Sequence, residues 1–196
     1  MARLLGIHIK NYRVLADVGI GQTKYAEGEP LPRLSCFIGP NGSGKSTLLD
    51  AFGFLADCLL EGVETACNKP GRGGFDRLRT QGSKGPIQFE LFFDAGDPAR
   101  PIAYAVEIDV EKNVPVVISE TLRQRRSGEV RGKPYFFLKL RQGKGKAWAG
   151  EYDEKDKDTR SEKIDLADPT RLGIGTLGNL AGHTRIVALR TYIEQW

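Results

Sequence analysis

The 196-residue chain is poor in the residues that build disulfide and metal chemistry. Its three cysteines, Cys36, Cys58 and Cys67, are an odd number without C-x-x-C spacing. A disulfide framework is not expected, and the thiols read as idle groups in a reducing compartment. Two histidines, His8 and His183, exclude a His-rich metal centre and an H-E-x-x-H protease; each reads as structural or surface. No apolar run approaches the ~20 residues of a membrane span. The Met1–Gly6 segment has one charge and too short an apolar stretch for a secretory signal. A cytoplasmic protein is the expectation. The balance of 40% hydrophobic and 28% charged residues excludes wholesale disorder, and the length suits one domain or one domain with a small lobe.

Charge is present in both signs but unevenly placed. The net charge is +4, yet Arg123–Lys146 alone carries +8, and Glu151–Asp168 holds eight acids against four bases. A basic stretch beside an acidic one reads either as a nucleic-acid surface next to a solvated loop or as two hairpins with charged outer faces. The interleaved apolar residues favour the hairpins.

Periodicity orders the chain. Leu5, Ile7 and Ile9 alternate, predicting a half-buried strand that resumes over Val14–Ile20. Leu34–Ile38 is a short unbroken apolar run ending at Gly39-Pro40, which predicts a buried central strand. Ser46–Glu61 spaces Leu48, Leu49, Phe52, Leu55, Ala56, Leu59 and Leu60 as a helix packed on a sheet. Cys67–Gly85 is rich in Gly, Lys and Arg and reads as loop, with a short helical turn around Phe75–Leu78. Ile87–Asp94, Ile102–Val110, Val114–Arg123 and Tyr135–Arg141 read as an antiparallel meander, turning at Glu111–Asn113 and Ser127–Glu129. Gly143, Gly145 and Gly150 interrupt further strand pattern, and Lys155–Ser161 reads as mobile. Asp168-Pro169 resembles a helix start, and Thr184 caps a last helix through Trp196. The predicted organisation is a lobe over 1–150, a flexible charged linker over 151–166 and the start of a helical subdomain over 167–196.

One motif carries chemistry. Gly39-Pro40-Asn41-Gly42-Ser43-Gly44-Lys45-Ser46-Thr47 matches the Walker A pattern G-x-x-x-x-G-K-[ST], with an apolar run before it and an amphipathic helix after it. Glycines without Cβ expose successive backbone N–H groups as a nest for the β-phosphate. The helix start adds its positive dipole end. Lys45 places a compact cation on the β/γ oxygens, the Ser46 hydroxyl is a Mg²⁺ ligand, and Thr47 can contact the α-phosphate. The expected cofactors are therefore ATP and Mg²⁺, with all nine residues in the binding loop and Lys45 catalytic. Gly173-x-Gly175-x-x-Gly178 fits G-x-G-x-x-G only formally; it lacks a preceding strand and reads as a loose helix.

The phrase Ile9-Lys10-Asn11-Tyr12-Arg13, followed by an apolar run into Gly-Pro-Asn-Gly-Ser-Gly-Lys-Ser-Thr-Leu-Leu-Asp-Ala, resembles the N-terminal half of SMC/RecF-like, ABC-type ATPases, and among them the bacterial AAA-type ATPases that include defence proteins. The resemblance is specific over about the first 60 residues and looser through about residue 141. It implies an α/β P-loop lobe with an antiparallel β-meander followed by a helical segment. It makes Asn11 and Arg13 candidates for nucleotide contact and leaves Tyr12 open between that role and a packed strand residue. It also implies a glutamine that touches Mg²⁺ and the attacking water; Gln81 and Gln88 are available, and Gln81 is favoured.

The departures are as informative. The family's apolar-Asp-Glu strand, Leu-Ser-Gly-Gly signature and switch histidine are not found; Leu91-Phe92-Phe93-Asp94 is the nearest imitation of the first. The expectation is an N-terminal half that binds ATP without efficient turnover, self-associates or is marginally stable, and works with a missing C-terminal half or a second protomer in a head-to-tail dimer, in DNA repair or phage defence. Three further readings stand beside it. They are a small P-loop nucleotide or metabolite kinase with lid arginines at Arg123, Arg125 and Arg126, a transporter ATP-binding subunit, and a nucleotide-sensing or DNA-binding module that contacts DNA through Arg123–Lys146.

Overall fold

In the computed structural model, residues 2–25, 28–97, 100–125, 133–149 and 161–196 are described. The alternating N-terminal segment forms β1 (Arg3–Tyr12) and turns back as β2 (Leu15–Gly21). The chain then runs through the Gly-rich loop into α1 (Lys45–Glu61), α2 (Val63–Asn68) and α3 (Phe75–Leu78). It returns as the meander β3 (Ile87–Asp94), β4 (Ile102–Glu111), β5 (Val114–Gln124), β6 (Tyr135–Arg141), β7 (Lys144–Trp148) and β8 (Ser161–Asp165), and ends in α4 (Gly173–Leu177) and α5 (Thr184–Ile193). All eight strands form one antiparallel sheet in the order β2-β1-β3-β4-β5-β6-β7-β8.

The helices cover one face of this sheet. Ile7, Ile9, Phe89, Leu91, Tyr104 and Val106 from the strands share a core with Leu48, Phe54, Leu55 and Leu59 of α1 and with Ile174, Ile186 and Leu189 near the C-terminus. Burial of these apolar side chains, at roughly 1.5–3 kcal/mol for each large one, is what holds sheet and helices together. The other face is largely polar, with a small patch of Leu5, Phe92 and Ala103 under Tyr25.

Three expectations are corrected. Leu34–Ile38 is not a buried strand: it pairs with no strand, and Leu34 is 89% and Ile38 91% exposed. An apolar run signals a need for burial but supplies no partner, and no strand among the described residues pairs with it, although Val18 and Ile20 of β2 line the same cavity as Cys36–Ile38. The glycines after residue 141 do not end the sheet. Gln142 and Gly143 take positive φ (50° and 72°) as the turn between β6 and β7. Gly145 lies so close to the Lys139 carbonyl that a Cβ would clash, so it marks close strand pairing rather than a break. Asp168-Pro169 does not start a helix. Asp168 accepts hydrogen bonds from the Thr170 amide (2.8 Å) and hydroxyl (2.7 Å), making a turn, and α4 begins at Gly173.

Val63–Asn68 adds a helix unmarked in the sequence reading. The turn expected at Ser127–Glu129 lies outside the described residues, as do 151–160 of the expected linker; residues 161–165 of that linker are β8. The final helix stops at Ile193, and Trp196 folds back edge-on to Phe52, with ring centroids 5.0 Å apart.

Candidate nucleotide-binding site

The loop is built to leave backbone amides free. Gly42 (φ 83°) and Gly44 (φ 90°) adopt the left-handed conformation that β-carbons disfavour, and Gly44 is the N-cap of α1 without any side-chain cap. The first N–H groups of α1 thus have no intrahelical acceptor, and they sit at the positive end of a 17-residue helix. The arrangement suits an anion. Lys45 folds back over the loop and donates to the carbonyls of Gly39 (2.7 Å) and Pro40 (2.7 Å) and to Ser43 Oγ (3.3 Å). The ammonium is therefore held at the mouth of the loop by acceptors on a flexible stem. Asn41 and Ser46 are exposed and Thr47 is half-buried in the first turn of α1.

Thr47 opens onto a cavity of ≈ 710 Å³ lined by Arg13, Arg72, Arg77, Arg79 and Gln81, with one carboxylate, Asp76. Two neighbouring segments put the arginines there. At the end of β1, Asn11 (φ 58°) and Arg13 (φ 49°) are both left-handed and flank Tyr12. Positive φ is uncommon for arginine, and here it is locked by backbone bonds: Arg13 N–H donates to the Leu78 carbonyl (2.6 Å) and Thr80 N–H to the Asn11 carbonyl (3.1 Å). The glycine-punctuated segment after α2 brings Arg72, Arg77 and Arg79 to the same wall.

Asp50, one turn beyond Thr47 on α1, fixes these groups. It accepts the Tyr12 hydroxyl (2.6 Å) and pairs with Arg13 Nε (3.2 Å) and Arg72 Nε (3.4 Å). Arg72 is buried; it also pairs with Asp57 (2.6 Å), donates to the Ala66 carbonyl (2.9 Å) and lies over the Phe54 ring. Burial, reinforced by the bond to Asp50, pushes the Tyr12 phenol far above its ordinary range, so it stays neutral. Burial alone would raise Asp57, but hydrogen bonds from Lys69 and Arg72 outweigh it and hold the carboxyl below its usual value. Arg77 is exposed and has no carboxylate within ion-pairing distance among the described residues.

Not every predicted residue faces this cavity. Arg13, Thr47 and Gln81 line it. Asn11 instead donates its side-chain amide to the Pro86 carbonyl (2.9 Å). Tyr12 is fully buried against Phe54 and Phe89 and takes the packed-strand reading. Gln88 points to the opposite sheet face, where it bonds Glu107 (3.1 Å). Asp94 pairs with Arg3, nine residues along β1 from Tyr12, about 30 Å of strand away, and bonds the Gly96 amide. Arg123 lies at that same remote end, paired with Glu90 (2.8 Å), and Arg125 stacks over Tyr25. A lid built on these arginines is excluded by their position; Arg126 lies outside the described residues. The Gly173–Gly178 stretch is α4 with its C-cap, and its amides at Gly173 and Ile174 are taken by buried Glu120. Sequence reading missed Asp50 and Arg72. The signal for Asp50 was its i+3 spacing from Thr47; Arg72 had none, because its segment has no periodicity.

A family model described as "AAA domain, putative AbiEii toxin, Type IV TA system" matches residues 34–173, which include the whole loop, the three helices that follow it and the meander. The chain belongs to this AAA-domain family. Membership brings the P-loop NTPase fold, nucleotide binding and ATPase activity of the P-loop class, in accord with the uncapped helix and its lysine. The match ends at Gly173, the first residue of α4. No curated protein matches the chain. No helix among the described residues is long and apolar enough to cross a membrane.

Proposed function

We propose that this AAA-domain protein binds ATP with Mg²⁺ at the Gly39–Thr47 loop and serves as the nucleotide-binding lobe of an SMC/RecF-like ATPase. The observation that carries the reading is the continuity of the uncapped α1 N-terminus with the arginine cavity beyond Thr47. Phosphates fit the first and charge-assisted contacts from Arg13 and Arg77 fit the second. The exposed Ser46 hydroxyl, beside Lys45 and with no competing acceptor in the first helical turn, suits a Mg²⁺ ligand. Bound Mg²⁺ would supply charge neutralisation between the β- and γ-phosphates.

Phosphoryl transfer is mostly positioning and charge stabilisation. The described residues supply cations here, but their nearest apolar-Asp strand ends at Asp94, at the opposite end of β1 from Tyr12. Efficient turnover therefore needs groups from elsewhere, either a C-terminal half or a second protomer placed head to tail. The unpaired, exposed Leu34–Ile38 segment supports such a complement, since it is apolar surface next to the loop. DNA repair or phage defence is the process we assign to the assembled machine. The test is calorimetric titration of ATP with and without Mg²⁺ into the wild type and Lys45→Ala. Loss of the binding heat in the variant supports the reading; unchanged affinity ends it.

A further inference from the structure

The polar face of the sheet is divided in two. The register places Gly19, His8, Glu90, Ala105, Thr121, Lys139, Lys146 and Lys163 in one row across the eight strands, and Asp17, Lys10, Gln88, Glu107, Ser119, Arg141, Lys144 and Asp165 in the next. On β1–β5 the charged groups have partners: Asp17 pairs with His8 (2.5 Å) and Lys10 (3.3 Å), Glu90 pairs with Arg123, and Glu107 accepts a hydrogen bond from the Gln88 amide. On β6–β8 most of the cations lack a carboxylate partner. Lys139, Arg141, Lys144, Lys146 and Lys163 share that area with one strand carboxylate, Asp165, which pairs with Lys144 at 3.4 Å. Among the described residues no carboxylate lies within ion-pairing distance of Lys139, Arg141, Lys146 or Lys163.

The same area has an aromatic element. A shallow cavity of ≈ 350 Å³ is lined by Ser119, Thr121, Lys139, Arg141, Lys146 and Trp148, among others. Phe136, 36% exposed, lies beneath the Lys139 ammonium with 5.0 Å to the ring centre. Strands sit about 4.8 Å apart and the two rows about 6.8 Å apart, so the cations form a patch rather than a line. An open sheet face that mixes cations with exposed aromatic rings can carry unpaired bases. Cations take the phosphates while aromatic faces and lysine stems take the bases.

We infer that the β6–β8 half of the open face binds single-stranded nucleic acid, with Lys139, Arg141, Lys146 and Lys163 on the phosphates and Trp148 and Phe136 beside the bases. This surface lies on the sheet face opposite the helices, and its occupancy does not depend on the nucleotide reading.

The experiment is fluorescence anisotropy of labelled (dT)20 titrated with the full chain, without nucleotide, over a salt series. Release of counterions from single strands gives a slope of about −0.7 per neutralised phosphate, so four cations predict a slope near −3. The double variant Lys139→Gln/Lys146→Gln should weaken binding at least tenfold and flatten the slope to about half. Lys10→Gln, on the charge-matched half of the same face, should leave both unchanged. In a Trp196→Phe background, (dT)20 should quench the fluorescence of Trp148, a direct sign of a base nearby. Circular dichroism melting checks that each variant is folded. Equal binding by folded Lys139→Gln/Lys146→Gln, preference for duplex DNA of the same length, or binding only to anionic vesicles overturns the inference.

Discussion

The Tyr12 hydroxyl donates to Asp50 Oδ2 across 2.6 Å, joining the last residue of the first strand to the helix that opens at the phosphate-binding loop. The same carboxylate oxygen faces Arg13. A buried phenol and a carboxylate thus set where the arginine stands relative to the loop. Tyr12→Phe should cost about 1–3 kcal/mol in urea unfolding, as expected for a buried partner removed. It should also weaken nucleotide affinity, because Arg13 loses part of its anchor. A variant of native stability and affinity would refute this coupling.

The two arginine types at the cavity should separate binding from folding. Arg77 is exposed and lacks a carboxylate partner among the described residues, so Arg77→Ala should leave the melting temperature unchanged and weaken ATP by roughly tenfold, the equivalent of one charge-assisted hydrogen bond. Arg72 is buried between Asp50 and Asp57; its removal takes one cation from each of two half-buried carboxylates, which keep Tyr12, Arg13 and Lys69, and should destabilise the fold by about 1–3 kcal/mol. Thermal melts and calorimetry on the two variants decide this.

Glu120 gives a pH signature. It is fully buried, which raises its carboxyl above the ordinary range even though the amides of Gly173 and Ile174 and the Tyr104 hydroxyl donate to it. The folded state therefore holds this proton more tightly than the unfolded chain. Its stabilising contribution is complete below the ordinary carboxylate range and falls as pH rises through the raised folded value. Urea midpoints of the wild type and Glu120→Gln should consequently draw apart in favour of the variant as pH rises from acid to neutral. Parallel pH profiles would count against the raised value.

Leu34 and Ile38 are almost fully exposed beside the loop. Sedimentation velocity should show concentration-dependent association of the wild type, and Ile38→Glu should reduce it. A monodisperse wild type at high concentration would remove the argument that this segment seeks a partner.

Much of the fold was legible because its signals are local. Alternation in β1 and in the meander, helical spacing after Lys45, and the glycine–lysine motif each report a backbone geometry that neighbouring residues impose by themselves. Positive φ at Lys112 and Asn113 fits the turn expected there. What the sequence alone determined, then, was the loop, its helix and the antiparallel meander from β3 to β6. Tertiary structure decided the rest. Whether the Leu34–Ile38 run is buried depends on a neighbour that apolarity cannot name, and whether Gly145 breaks a strand or admits one depends on the chain lying opposite. Asp50, Arg72 and the split between matched and unmatched charge on the open face are fixed by side chains far apart in sequence, because ion pairing and register act through space rather than along the chain.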